Sequence, residues 1–384
     1  MAAKWEQYLE RWTNAGLIDR STAEQVRAYE QDQDKARGLR WPIVIAIAFG
    51  GLLLGAGILL FVAAHWDTLS PAQRFAAVLT LVGLLHAAGA LAAARFGVLA
   101  TALHAVGTIC LGAAIFLTGQ IFHLQEHWPG GVMLWALGAW VAWALLRDWP
   151  QAALAAILTP AWLGGEWLEA TRGWAGSETI LCAGFLLLAI TYLTARREAQ
   201  ATAVQKTLTW IGGLLLIPAT VMVIESGIFS HGRGASLPWG YYLLGWAAVL
   251  LGSLGSAWWL RGKGAWLNVV AAFWVAFLSA TRVRFGADGA GPFNAGDDLA
   301  IYGLCALGAI GLIAWGMKEG RRERVNLGIA GFALTILTFY FSTVMDRMGR
   351  SASLIGLGLL FLLGGWLLEK TRRRLLAQMG KGAL

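Results

Sequence analysis

From Pro42 to the C-terminus the chain keeps returning to apolar runs of about 17–25 residues, each long enough to cross a bilayer as a helix. Twelve such runs are readable, near 42–64, 75–94, 98–118, 131–146, 150–165, 179–195, 207–225, 238–260, 265–281, 299–317, 325–345 and 351–368. Only 14% of the residues are charged and 58% are hydrophobic, whereas soluble domains carry roughly a quarter charged residues. The expected fold is therefore all-α, a polytopic transmembrane bundle of about twelve helices spanning 41–384. The run at 150–165 is short enough to be re-entrant. Residues 1–40 are polar, so no secretory signal peptide is expected ahead of the first span.

The net charge of +8 reports orientation and not a nucleic-acid partner. With the N-terminus placed in the cytoplasm, 23 of the 30 Lys and Arg fall inside and 7 outside, against 12 and 10 acids. The two faces then carry +11 and −3, the bias that retains basic loops in the cytoplasm. "KEGRRER" (318–324) and "EKTRRRLL" (369–376) are its strongest segments. An even span count puts both termini inside.

Residues 1–40 read as a small cytoplasmic helical hairpin. Trp5, Tyr8, Leu9 and Trp12 share a helical face, and Gly16 can end the helix. "STAEQVRAYEQ" places Ser21 and Glu24 at capping-box spacing, with Val26 and Tyr29 facing inward. A unit of this size cannot bury a core alone, so it is expected to pack on another copy, on the membrane domain or on a partner. Cys110, Cys182 and Cys305 sit singly in different spans and read as packing residues. No internal repeat is legible. Gly51 with Gly55 and Gly252 with Ser256 have the spacing that lets helices approach closely in lipid.

Ionisable groups are costly inside a bilayer, so each one there is a candidate for function. His86 and His104 lie within the second and third spans, and the tight turn through Arg95-Phe96-Gly97 can bring them together. Asn268 reads as a hydrogen-bonded interface residue. At the outer ends, His65 and Asp67 close the first span, Gln120 and His123 the third, Glu166 the fifth and Glu225 the seventh. Together these six could line a vestibule that binds a small solute, a proton or a cation. The opposing reading makes them ordinary interface polarity, with Trp66, Trp128 and Trp167 as belt aromatics. "HLQEH" (123–127) matches H-x-x-E-H, a zinc-peptidase spacing, but Pro129-Gly130 follows at once and a third ligand would have to come from Glu166 or Glu169. No metal or other cofactor is expected, and neither a phosphate-cradling glycine loop nor a nucleophile elbow is present.

Several of these segments look like one family. "VAAHWD" (62–67), "TGQIFHL" (118–124), the hairpin with "GLID" (16–19) and the close "GLGLLFLLGGWLLEKTRRRL" (356–375) resemble the bacterial predicted membrane proteins called domain of unknown function 2157. The resemblance covers most of the chain and is most specific over 1–150. His65 stands where the family pattern has Asn, and Phe122 where Tyr is frequent. It implies a bacterial inner-membrane location and the hairpin-plus-bundle fold, and it implies no activity.

The leading functional expectation is an inner-membrane protein that binds or transports a small solute or ion. A scaffold or sensor that docks a partner through its hairpin is the alternative. An intramembrane metal-dependent hydrolase is more remote. The expected partners are the lipid bilayer and either further copies of the chain or a second membrane subunit.

Overall fold

A computed structural model of the chain describes residues 4–36, 49, 50, 53, 57, 70–121, 127–195, 202–229, 235–286, 295–341, 358, 359, 362 and 366. Among these the regular structure is helical, apart from one isolated bridge between Ala175 and Ser236. The all-α expectation holds. The expected spans at 42–64 and 351–368 lie almost wholly outside the described residues. Contacts divide the chain into two units, Met1–Leu124 and Gln125–Leu384.

The first unit contains α1 (Lys4–Asn14), α2 (Arg20–Ala36), α3 (Pro71–Ala92) and α4 (Gly97–Ile121). Gly16 ends α1 as expected, at the positive φ of 69° that only glycine adopts without strain. Two expectations for the hairpin need correction. Helix α2 starts at Arg20, and Ser21 donates its hydroxyl proton to Asp19 instead of capping the helix. Hydrogen bonds from the Ser21 and Thr22 hydroxyls hold the Asp19 carboxyl down at about 2. A carboxylate one position ahead of the helix outcompetes a hydroxyl for that role, being the stronger acceptor. Val26 and Tyr29 also point outward, while Leu9 on α1 and Ala23 on α2 are buried.

Helix α3 begins with Ser70 and Gln73 bonding each other's backbone amides at 3.4 and 2.8 Å, with Pro71 at the first helical position. Related signals open two helices of the second unit. Asp148 accepts from the Gln151 amide ahead of α6, and Thr202 pairs reciprocally with Gln205 ahead of α8.

The second unit runs through α5 (Trp128–Leu146), α6 (Trp149–Ala170), α7 (Ser177–Leu193), α8 (Ala203–Phe229), α9 (Trp239–Arg261), a 3-10 turn (Gly262–Ala265), α10 (Trp266–Gly286), α11 (Ala295–Lys318) and α12 (Arg322–Phe339). Six stretches of the described residues are long and apolar enough to cross a membrane: Pro71–Ala92, Gly97–Gln120, Trp128–Leu146, Ala203–Ser226, Trp239–Thr281 and Leu299–Lys318. Helix α6, expected to be short enough for re-entry, is one continuous helix of 22 residues, about 33 Å long.

Helix α7 is the hub of this unit and packs against α6, α8, α9 and α10. Ala183, Leu186, Leu187 and Ala189 on it are at most 1% exposed, and the main core cluster is built around them. Its tightest neighbour is α8. A methyl added at Gly212 would fall 2.1 Å from the Leu193 amide nitrogen, so the two backbones touch.

Ring side chains fill glycine notches elsewhere. Trp128 lies on Gly165, Trp167 on Gly245 and Trp274 on Gly308, each within 2.7 Å of where a methyl would sit. The abundance of both Trp and Gly in the composition is thus partly packing between helices. Trp128 and Trp167, expected as belt aromatics, serve as interhelical knobs. Gly252, by contrast, has nothing within 4 Å and makes no close helix contact among the described residues.

Candidate functional site

Two features of the second unit concentrate its chemistry, a buried ionic knot and an apolar groove, and Trp315 belongs to both.

The knot forms where α9, α10, α11 and α12 end or begin. Arg261 is the last residue of α9, Arg324 lies in the first turn of α12, and Glu319 follows α11 directly. Gly320, at φ 65°, reverses the chain so that α12 folds back along α11. Glu319 Oε1 accepts from Arg261 at 2.5 Å and from the Trp315 indole at 2.7 Å, and its Oε2 accepts from Arg324 at 2.6 Å. Both guanidiniums also donate to the Thr194 carbonyl at the end of α7. Asn268 donates to the Thr194 hydroxyl at 3.1 Å, as an interface residue should. The Arg261 and Arg324 side chains are 1% and 0% exposed. Their charged planes face the Trp315 ring at 5.2 and 5.5 Å. Burial raises the Glu319 pKa, but the hydrogen bonds from the two arginines reverse this and hold the carboxyl below its ordinary value. The knot ties four helices to α7.

The groove, a cavity of about 580 Å³, runs between α8, α10, α11 and α12. Along α11 it extends from Tyr302 to Lys318, about 24 Å. Its walls are mostly apolar and its two ends are charged, with Lys318 beside Trp266 at one and Glu225 at the other. Lys318 Nζ lies 4.7 Å from the Trp266 ring centre. Neither Lys318 nor Glu225 makes a hydrogen bond or ion pair among the described residues. Two of the four wall glycines are spent on the fold, since Trp274 occupies the notch at Gly308 and α11 itself the one at Gly328. Gly311 faces open space.

The expected outer vestibule is only partly visible. His65, Asp67 and His123 lie outside the described residues. Gln120, exposed near the end of α4, belongs to the first unit. Glu166 accepts from Trp162 at 3.0 Å and contacts His127 Nε2 at 2.6 Å. That hydrogen bond with His127 is the main cause lowering the Glu166 pKa. Glu169 is taken by Trp128 and Arg172, both at 2.7 Å. Glu225 lines the groove, and Glu166 does not. His86 and His104 do meet, Nδ1 to Nδ1 at 3.0 Å, and each ring sits in a glycine notch of the opposite helix, His104 on Gly89 and His86 on Gly107.

The ionic knot escaped sequence reading. The sequence places Glu319 and Arg324 in the basic segment "KEGRRER" and does not single out Arg261. The available signal was local: Trp315 and Glu319, four residues apart, put an indole donor beside a carboxylate on one helical face.

Residues 10–152 match the predicted membrane protein family DUF2157. The match takes in the N-terminal segments that carried the resemblance, "GLID", "VAAHWD" and "TGQIFHL". It stops short of both the groove and the knot, and of the C-terminal segment 356–375. No curated protein and no solved structure matches the chain. DUF2157 supplies a membrane location and no activity, so a functional reading of the second unit has to rest on its own geometry.

Proposed function

We propose that this membrane protein binds a long, mostly apolar solute in the groove between α8, α10, α11 and α12. One observation carries the reading: a 580 Å³ apolar groove about 24 Å long, with a charged residue at each end. That volume falls in the range of small-molecule sites. Several wall residues, including Val270, Leu307 and Leu334, are also exposed on the protein surface, so a solute could slide in sideways from the bilayer. The Lys318 end would face the cytoplasm of a bacterial inner membrane, with both termini cytoplasmic, a reading supported by the excess of Lys and Arg in the loops on that side.

The test uses the full chain in nanodiscs of neutral lipid and a fluorescent long-chain probe. Wild-type protein should bind the probe saturably. Gly311→Leu, whose Cβ enters open space at the groove wall, should weaken binding about tenfold or more. Equal, non-saturable partitioning into both samples would refute the groove as a site.

A second reading, partner docking through the N-terminal hairpin, is favoured by the exposure of Trp12, Val26 and Tyr29 on its surface. The partner would be another copy of the chain or a second membrane subunit. Deleting residues 1–36 should then leave the membrane helices folded and abolish an association seen by crosslinking in cells. An unchanged crosslinking pattern argues against docking.

A further inference from the structure

The charges at the groove's ends bear on what kind of solute fits, and the inference rests on the groove reading above. We infer that the occupant is a single-chain amphiphile with an anionic head, seated with its head at Lys318 and its tail running toward Glu225. Lys318 is the cation among the described lining residues and Glu225 the carboxylate. The Lys318 ammonium is held over the Trp266 ring and spends none of its hydrogen-bond capacity on the described residues, so its donors remain for a ligand. Just behind it, Glu319 is neutralised by two buried arginines, and the segment "KEGRRER" (318–324) keeps this end of the groove basic. An anionic head is therefore attracted to the Lys318 end and repelled from the Glu225 end, which sets its orientation.

Shape argues for one chain. The groove is about 24 Å long between its two charged ends, an elongated form that suits one extended acyl chain. A transmembrane helix of a partner is a poorer occupant. Two of the four wall glycines through which a helix could approach are already filled, Gly308 by Trp274 and Gly328 by α11. Trp315 forms part of the wall and also binds Glu319, so an occupant would touch the knot directly.

The experiment compares stearate, stearyl alcohol and stearyl-trimethylammonium as competitors of the fluorescent probe, on the full chain in phosphatidylcholine nanodiscs. Stearate should compete best, and lysophosphatidate should match it if any anionic head suffices. Lys318→Glu should weaken stearate about tenfold or more while leaving the alcohol unchanged, and Lys318→Arg should retain the preference. Equal competition by all three head groups, with loss only in Gly311→Leu, would overturn the anionic assignment and leave the groove standing. Failure of every competitor, or binding unaffected by Gly311→Leu, would remove the groove and the assignment together. Thermal unfolding of each variant distinguishes lost binding from lost fold.

Discussion

At Gly89 and Gly107 a single methyl decides whether the α3–α4 hairpin can close. Each glycine receives an imidazole from the opposite helix, and a methyl at either site would fall within 2.9 Å of a ring atom. The two imidazoles satisfy each other, one Nδ1 donating its proton to the other's lone pair. Little else in an apolar hairpin can replace that partner. His86→Phe should therefore cost about 1–3 kcal/mol, because His104 is left with an unmet polar group. His86→Phe combined with His104→Phe should cost less than the two single changes added together, measured by denaturation of the reconstituted protein. Additive costs would mean the rings are not coupled. This pairing was legible in the sequence. A tight turn at Arg95–Phe96 fixes the hairpin register, and both histidines lie at similar distances from it.

Between elements, the decisive groups are Glu319 and Gly212. Glu319→Ala would leave Arg261 and Arg324 buried without their shared carboxylate, a loss of about 3–5 kcal/mol. Replacing all three by apolar residues of similar size should cost much less, which distinguishes a buried-charge penalty from a packing defect. The pH dependence has a defined sign. A carboxyl held below its ordinary value of 4.5 contributes fully above that value and loses its contribution as pH falls through the lower folded value. Wild-type protein should thus lose thermal stability in acid below about pH 4.5, and Glu319→Gln should flatten the profile there. Gly212→Ala should destabilise by roughly 1–3 kcal/mol or more, since its methyl would meet the backbone of Leu193, which cannot rotate away as a side chain can. A neutral outcome in a calorimetric scan would mean that α7 and α8 are not in backbone contact.

For the molecule as a whole, the prediction is topological. Reporters fused to each terminus should both read as cytoplasmic, because the assignment that puts 23 basic residues inside needs an even number of spans. A C-terminal reporter on the outer side would require an odd number and would invert the map beyond α6. The groove's basic end would then lie away from the cytoplasm, and the anionic solute proposed for it would arrive from the opposite leaflet.

Membrane location and an all-helical fold follow from the sequence by itself, because a run of about twenty apolar residues has few alternatives in a bilayer. The hairpin partners His86 and His104 and the interface role of Asn268 were readable for a similar reason, since a polar group in lipid must find a partner close by. Only the tertiary structure decided which helix lies at the centre. Lipid tails are as apolar as leucine, so a helix face turned to lipid and one turned to protein carry the same residues. Nothing in the composition of α7 marks it as the hub. The same limit hid the groove, whose walls belong to four helices with no shared periodicity. It hid the knot as well. Arg261 and Arg324 look like any basic residue beside a span until the fold brings Glu319, 58 residues from the one and five from the other, between them.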